Sequence, residues 1–160
     1  MNFNQPSPAN KPSFKAIKII HLALLAGQCL FAGVTLFLNS TKTGFDTSKD
    51  KEFLLIAIIL TVGGFFAGNL LYKQVSGVAA KKVTYQEKIM TYQSALIIRY
   101  ALLEGPSLFC IVCYFLTANL IFLLISGAII IYFITLRPKV DTIAEELSLT
   151  YEEKAGLENS

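Results

Sequence analysis

The sequence predicts an all-α membrane protein, in which four transmembrane helices form two tandem, duplicated helical hairpins with both termini in the cytoplasm. Three observations predict this fold class: apolar residues lie in four long blocks, lysines and arginines concentrate in alternate connections, and the third block repeats the first. Of the 160 residues, 54% are hydrophobic, which is more apolar side chain than one small soluble core can bury. We therefore expect lipid to solvate much of the chain.

The four apolar blocks are the predicted transmembrane helices, because about 20 apolar residues cross the hydrocarbon core of a bilayer. The fourth block is the shortest and barely reaches that length. Short connections leave no room for a separate soluble domain, so the transmembrane domain covers 17–136. We expect a disordered cytoplasmic N-terminus at 1–16 and an acidic cytoplasmic tail with a short helix at 137–160. The predicted spans are 17–38, 53–72, 95–116 and 120–136.

Two segments outside the spans have capping-box spacing, in which Thr and Glu three residues apart mark the start of a helix. Thr84 and Glu87 predict a helix that runs straight into the third span, and Thr150 and Glu153 repeat the signal before a polar tail. Between the fourth span and that signal, Asp141 is expected to cap a short helix that ends at Leu149.

The distribution of lysine and arginine predicts the orientation, because these residues are retained on the cytoplasmic side of short connections. The second connection, 73–94, has four lysines against Glu87 alone, and the C-terminal flank opens with Arg137 and Lys139. The first connection, 39–52, balances three lysines with three acids, and the third has no charge. Both termini are thus expected inside. Topology and anionic lipid headgroups then explain the net charge of +3, and no nucleic-acid partner is expected.

An internal repeat is the most informative pattern in the chain. Residues 97–116 align with 19–38 without a gap, and eleven of the twenty positions are identical, including Ala-Leu-Leu-x-Gly-x-x-Leu-Phe in register. We interpret this as duplication of a helical hairpin, giving a parallel repeat about an axis along the membrane normal. The first and third helices are then expected to face one another through the small residues that they share. These residues are Ala23, Gly27, Ala101 and Gly105.

Glu104 is the candidate functional residue, because it lies near the middle of the third span, about 14 Å into a core about 30 Å thick. A carboxyl group there must be protonated, hydrogen-bonded or beside water. Tyr100 and Ser107 share its helix face, and Gln28 lies at similar depth, so these four residues form a candidate intramembrane polar site. A proton or cation site is one interpretation. A role in helix packing is the other, and we favour it because the first copy of the repeat has Ala26 instead of Glu104.

Glycine and proline mark two further features of the helices. Pro106 cannot donate to the carbonyl of Leu102, so Gly105 and Pro106 predict a kink in the third helix. Gly64 and Gly68 form a GxxxG pattern in the second helix, which suits close contact either within the chain or between two chains. Gly27 is the corresponding candidate for packing in the first helix.

His21 and Arg99 occupy equivalent positions of the repeat, about one turn inside the cytoplasmic boundary, so we expect both to be interfacial anchors. The chain has a single histidine and we expect no metal site. Cys110 and Cys113 have CxxC spacing, but they lie inside an apolar run, where packing is the expected role. With no catalytic motif in a usable context, the sequence predicts no catalytic residue, no enzymatic activity and no cofactor.

Residues 101–106, Ala-Leu-Leu-Glu-Gly-Pro, and the Arg-Pro pair after the fourth span resemble small four-helix bacterial membrane proteins of uncharacterised activity, over about residues 15–150. The resemblance implies a multi-pass protein of the bacterial inner membrane and supplies no mechanism. We expect a non-enzymatic accessory or scaffold subunit whose partners are the lipid bilayer and either a second copy or another membrane protein. The alternative is a small oligomeric proton or cation conductor that uses Glu104.

Overall fold

The computed structural model describes residues 14–45 and 50–158, and six helices make up nearly all of this part of the chain. The disordered N-terminus that we predict for 1–16 lies outside the described residues, except that 14–16 belong to the first helix. The helices are α1 (Phe14–Asn39), α2 (Lys51–Ala80), α3 (Tyr85–Thr117), α4 (Leu120–Thr135), α5 (Val140–Glu146) and α6 (Tyr151–Glu158).

Three of these helices, α1 to α3, are long and apolar enough to cross a membrane. The fourth, α4, has 16 residues and reaches about 24 Å. It qualifies as a span only together with α5, from which it is bent by 74°. The described residues therefore form an all-helical fold with three or four candidate transmembrane helices.

α2 extends beyond its predicted span at its C-terminal end, and α3 extends beyond its predicted span at its N-terminal end. α2 continues to Ala80 and α3 begins at Tyr85, so only four residues join them. α3 has Thr84 as its N-cap, as the spacing of Thr84 and Glu87 predicts, but the Thr84 hydroxyl donates to the Glu87 carboxylate at 3.1 Å instead of capping the helix backbone. The two helices thus project as an antiparallel pair on the lysine-rich side of the fold.

α3 is the central helix of the bundle. α2 packs against it most extensively, followed by α4 and then α1, whereas α1 and α2 are not packed on one another. The first predicted hairpin is therefore not a packed pair, although α3 and α4 do form one. The two copies of the sequence repeat occupy non-equivalent positions in the fold, so the duplication remains an interpretation of the sequence.

Nine buried residues form three layers between α1, α3 and α4, and each layer takes one residue from α1, one from α3 and one from α4 or its N-cap. The residues recur every seven positions, which returns to the same side of a helix after two turns. Nearly every one of them carries a polar group, so this interior is mixed rather than purely apolar. The layers are His21, Tyr100 and Phe133; Gln28, Ser107 and Ser126; and Thr35, Tyr114 and Asn119.

The end of the bundle opposite the lysine-rich side is closed by backbone and amide hydrogen bonds. The N–H of Gly44 donates to the carbonyl of Ala118 at 3.0 Å, and the N–H of Leu120 donates to Gly44 at 2.9 Å. The Asn39 amide donates to the carbonyls of Tyr114 and Phe115 at the end of α3. These bonds tie the segment after α1 to the turn between α3 and α4.

The C-terminal segment folds back on the bundle through apolar side chains. Ile143, Leu147 and Leu157 are buried in the same core as the lysine-rich ends of α2 and α3. Thr150 and Glu153 make the reciprocal hydrogen bonds of a capping box at the start of α6, as the sequence predicts. The prediction that Asp141 caps a helix through Leu149 is wrong, because α5 covers Val140–Glu146 and has Lys139 as its N-cap.

Candidate functional site

Glu104 is half-buried on α3, and within the described residues its carboxyl group makes no hydrogen bond and no ion pair. Ala101 precedes it by three residues and Leu108 follows it by four, so both lie on the same side of the helix. Ala101 and the adjacent Gly105 are exposed, and Leu108 is half-buried. Glu104 therefore lies at the edge of an uncovered part of α3.

The other three members of the predicted polar site make no hydrogen bond to Glu104 within the described residues. Tyr100 is fully buried and its hydroxyl donates to the carbonyl of Leu136 at 3.2 Å. Ser107 is bonded to Ser126, with 2.9 Å between the hydroxyl oxygens. The prediction that Glu104, Tyr100, Ser107 and Gln28 form one site is thus wrong at the level of hydrogen bonds. The reason is that Tyr100 and Ser107 of α3 bond to Leu136 and Ser126, at the end of α4 and within it, rather than to Gln28 of α1.

Gln28 is fully buried, and neither its amide oxygen nor its amide nitrogen has a partner in the described part of the chain. A buried amide without partners is costly, so such groups are rare in proteins. By its position in the seven-residue spacing, Gln28 belongs to the same interior layer as Ser107 and Ser126. This amide is the one group of the layer whose hydrogen-bonding capacity the described residues leave unused.

The small residues that α1 and α3 share do not lie between the two helices, which corrects the packing predicted from the repeat. Ala23 and Gly27 of α1 are exposed, as are Ala101 and Gly105 of α3. A Cβ atom built on Gly27 would have no atom within 4 Å. The larger side chains of the interior layers turn toward the partner helix instead, because burying them removes more surface from solvent.

We define the open face of α3 as the stripe that neither α1 nor α2 covers. Its members are exposed and are spaced at intervals of four and seven residues, which places them on one side of the helix. The open face consists of Ile97, Ala101, Gly105 and Val112.

The GxxxG pattern of α2 lies at the contact with α3. A Cβ atom on Gly64 would clash with the carbonyl oxygen of Leu102 and would lie 3.0 Å from Cγ of Pro106. One on Gly68 would make ordinary contacts, the nearest at 3.5 Å from Cβ of Leu102. The pattern therefore serves contact within the chain. α3 also continues without interruption through Gly105 and Pro106, so the expected kink does not break the helix.

Arg99, on α3, contacts side chains of α2 and α4, and its role as an interfacial anchor stays a prediction. Its Nη2 donates to Oδ1 of Asn69 at 2.6 Å and to the Tyr132 hydroxyl at 3.2 Å. The guanidinium also lies 4.6 Å from the ring centre of Tyr72, which is cation–π distance. Nε of Arg99 is buried and has no partner among the described residues. The chain thus holds this cation firmly and leaves one donor unused.

A second polar group lies next to Arg99 and involves the C-terminal segment. The Tyr72 hydroxyl donates to Oε2 of Glu146 at 2.6 Å and lies 2.7 Å from the Tyr92 hydroxyl. The sequence analysis did not predict this group. One signal for it was Tyr72, a polar residue at the end of an otherwise apolar predicted span.

His21 is buried and does not act as an interfacial anchor, contrary to the prediction. Its ring stacks on Phe133 at 4.8 Å and lies 5.1 Å from the ring of Tyr100. Its Nδ1 has no partner in the part of the chain that the structure describes. The prediction was wrong because position along the helix gives depth in the membrane but does not give the direction in which a side chain points.

The thiols and acids offer no metal centre within residues 14–45 and 50–158, where no group of three His, Cys, Asp or Glu side chains is placed to hold an ion. Cys110 and Cys113 are buried free thiols, and Cys29 is exposed. Comparison of the chain with protein-family models, with curated proteins and with solved structures finds no match. Function is therefore inferred from the geometry of the chain itself.

Proposed function

We propose that the protein is a non-enzymatic accessory or scaffold subunit of a bacterial inner membrane, and that it binds a transmembrane helix across the open face of α3. The observation that supports this proposal is the half-buried carboxyl group of Glu104, which has no partner within the described residues and lies beside Ala101 and Gly105. The partner helix belongs either to another membrane protein or to a second copy of the chain.

The physical argument starts from the cost of an unpaired carboxyl group in a membrane. A polar group without a hydrogen-bond partner in hydrocarbon is expensive, so intramembrane acids face other protein groups or water. A donor on a docked helix removes that cost for Glu104. Small residues such as Ala101 and Gly105 allow the two backbones to approach closely, which strengthens dispersion contacts and interhelical hydrogen bonds.

The arrangement of α1 and α2 adds to this argument. Because these two helices are not packed on one another, they leave the open face of α3 uncovered, and the partner helix of this proposal binds there. In the proposed orientation both termini are cytoplasmic, and the support for this is the excess of lysine and arginine in the alternate connections.

Site-specific photo-crosslinking in native membranes tests the proposal. A photoreactive residue at Ala101 is expected to give one defined adduct, and the same residue at Ile59, an exposed position on α2, serves as the lipid-facing control. The adduct mass distinguishes a second copy from another protein, and a reciprocal crosslink from the identified partner is required as support. Equal crosslinking at the two positions, or none at Ala101, contradicts the proposal.

Substitution of Glu104 adds a second measurement to the same experiment. Glu104→Gln keeps a hydrogen-bonding side chain and is expected to retain the adduct, whereas Glu104→Leu is expected to lower its yield several-fold. A yield that is the same in both variants would show that the carboxyl group does not face the partner.

The alternative function is a small oligomeric proton or cation conductor that uses Glu104. The observation that favours it is the buried amide of Gln28, which has no partner within the described residues and belongs to a series of polar layers along the bundle. In this proposal Glu104→Gln abolishes a measured ion flux in liposomes, while Gln28→Leu lowers it. A flux that Glu104→Gln leaves unchanged excludes this function.

A further inference from the structure

An apolar groove lies between α2 and α4, over α3. Its volume is about 500 Å³, which is within the range of pockets that hold small apolar ligands, about 300–1,000 Å³. Phe66, Val62 and Ala128 line it and are exposed, so the groove faces the membrane along one side. Phe65, Leu103, Pro106 and Ile125 form much of the remaining wall, and Tyr132 also lines it.

A smaller cavity lies at the lysine-rich end of the same helices, under the segment that joins α4 to α5. Its volume is about 180 Å³, and Tyr72, Tyr92 and Thr142 are among its polar lining residues. Three cations, Arg99, Arg137 and Lys139, face one carboxylate, that of Glu146, in this lining. Because three cations line the cavity with only one carboxylate, its lining carries an excess of positive charge.

Arg99 connects the groove to the cavity. Its guanidinium lines the cavity and donates to the hydroxyl of Tyr132, whose ring lines the groove. Eighteen residues separate Arg99 from Thr117 at the far end of α3, which is about 27 Å along the helix and hence close to the boundary of a core about 30 Å thick. Lipid phosphates lie at that depth.

We propose that the groove and the cavity together bind one anionic phospholipid, whose acyl chain occupies the groove and whose phosphate is bound by Arg99. Three observations carry the proposal: an apolar groove open to the membrane, a polar cavity with excess positive charge at its end, and a buried Nε of Arg99 with no partner in the described chain. A guanidinium donates two parallel hydrogen bonds to a phosphate. A zwitterionic lipid brings a quaternary ammonium group into the same cations and is disfavoured.

Native mass spectrometry of the purified protein, titrated with phosphatidylglycerol or with phosphatidylcholine of identical acyl chains, tests the proposal. One phosphatidylglycerol molecule is expected to remain bound, with an affinity about tenfold above that of phosphatidylcholine, the usual effect of one charge-assisted hydrogen bond. Arg99→Gln is expected to remove that preference. Lys73→Gln, which neutralises an exposed cation outside the cavity, is the matched control and is expected to leave the preference intact.

Two further variants keep the test decisive if Arg99→Gln fails to fold. Arg137→Gln changes an exposed cation of the cavity and is expected to reduce the preference by a smaller factor. Ala128→Leu fills the groove without changing any charge and is expected to lower the affinity for both lipids. Equal binding of the two lipids, the same preference in Arg137→Gln as in Lys73→Gln, or full competition by inorganic phosphate alone would overturn the proposal.

Discussion

Gly64 lies against the backbone carbonyl of Leu102, which is the carbonyl that Pro106 leaves without its helical N–H donor. In a continuous α-helix this oxygen would accept from the residue four positions later, and proline has no N–H to give. The absence of a side chain at Gly64 lets the backbone of α2 lie against the freed oxygen, an approach that suits a weak Cα–H···O contact. A glycine on one helix and a proline on the next thus act as a pair.

Gly64→Ala is expected to destabilise the bundle by about 1–3 kcal/mol, because the added methyl group clashes with backbone and overpacks the contact. Thermal unfolding in detergent measures the effect. Gly63→Ala is the matched control, since a Cβ atom there has no atom within 4 Å and the helix propensity gain is the same. If the two variants melt at the same temperature, the close approach of α2 to α3 is not as described.

Tyr72→Phe is expected to loosen the C-terminal segment, because it removes the bond to Glu146 and leaves the buried Tyr92 hydroxyl without that partner. The expected cost is about 1–3 kcal/mol. Hydrogen exchange in α5 and α6 measures the loosening. Tyr151→Phe, on a side chain that is 88% exposed, should leave exchange unchanged, and faster exchange in both variants would argue against a specific anchor.

The pair between Lys154 and Asp141, at 2.7 Å, predicts a pH dependence confined to acid. The hydrogen bond from Lys154 holds the pKa of the Asp141 carboxyl below its ordinary value of 3.8. Because the folded pKa is the lower one, the pair contributes stability above that ordinary value and loses it as the pH falls through the folded value. Both groups are accessible, so the effect is small.

Hydrogen exchange of α6 measured from neutral pH to about pH 3 checks this sign and window. Exchange corrected for its intrinsic pH dependence should accelerate only below about pH 4. Asp141→Asn should show the faster exchange already at neutral pH and a smaller acid step. Loss of protection above pH 5 would point to a different group.

Single-cysteine labelling tests the orientation, in a chain whose native cysteines are replaced by alanine. A cysteine at Ser76, near the lysine-rich end of α2, is expected to react with a membrane-impermeant maleimide only after permeabilisation. One at Ser48, in the first connection and outside the described residues, is expected to react in intact cells. The reverse pattern would refute the orientation argued from charge.

Hydrophobic blocks predicted the candidate membrane helices well, because length and apolarity along the chain are properties of sequence alone. The capping box at Thr150 and Glu153 was equally readable, since its hydrogen bonds join residues three apart. The direction in which each side chain points could not be predicted from the sequence. The repeat implied that Gly27 and Gly105 meet, whereas the larger side chains at Gln28 and Ser107 point inward.

Long-range partners were the other feature that the sequence did not reveal. Arg99 of α3 donates to Asn69 of α2 and to Tyr132 of α4. No local sequence pattern predicts that these three residues meet. The surroundings of Glu104 could not be predicted from the sequence either. Its depth followed from counting residues, but its lack of a partner within the described chain depends on which part of the α3 surface α1 and α2 leave uncovered.

The 16 residues of α4 have a consequence for the surrounding lipid. The predicted spans on α2 and α3 match a bilayer core about 30 Å thick, while α4 falls short of it by about 6 Å. A bilayer adapts to such hydrophobic mismatch by thinning locally, at a cost of a fraction of a kcal/mol per Å. One flank of the protein is therefore expected to compress the leaflet next to it, so that headgroups descend toward Arg137 and Lys139 where the chain bends away. Proteins with a similarly short flank would share this thinned lipid and would tend to collect beside α4.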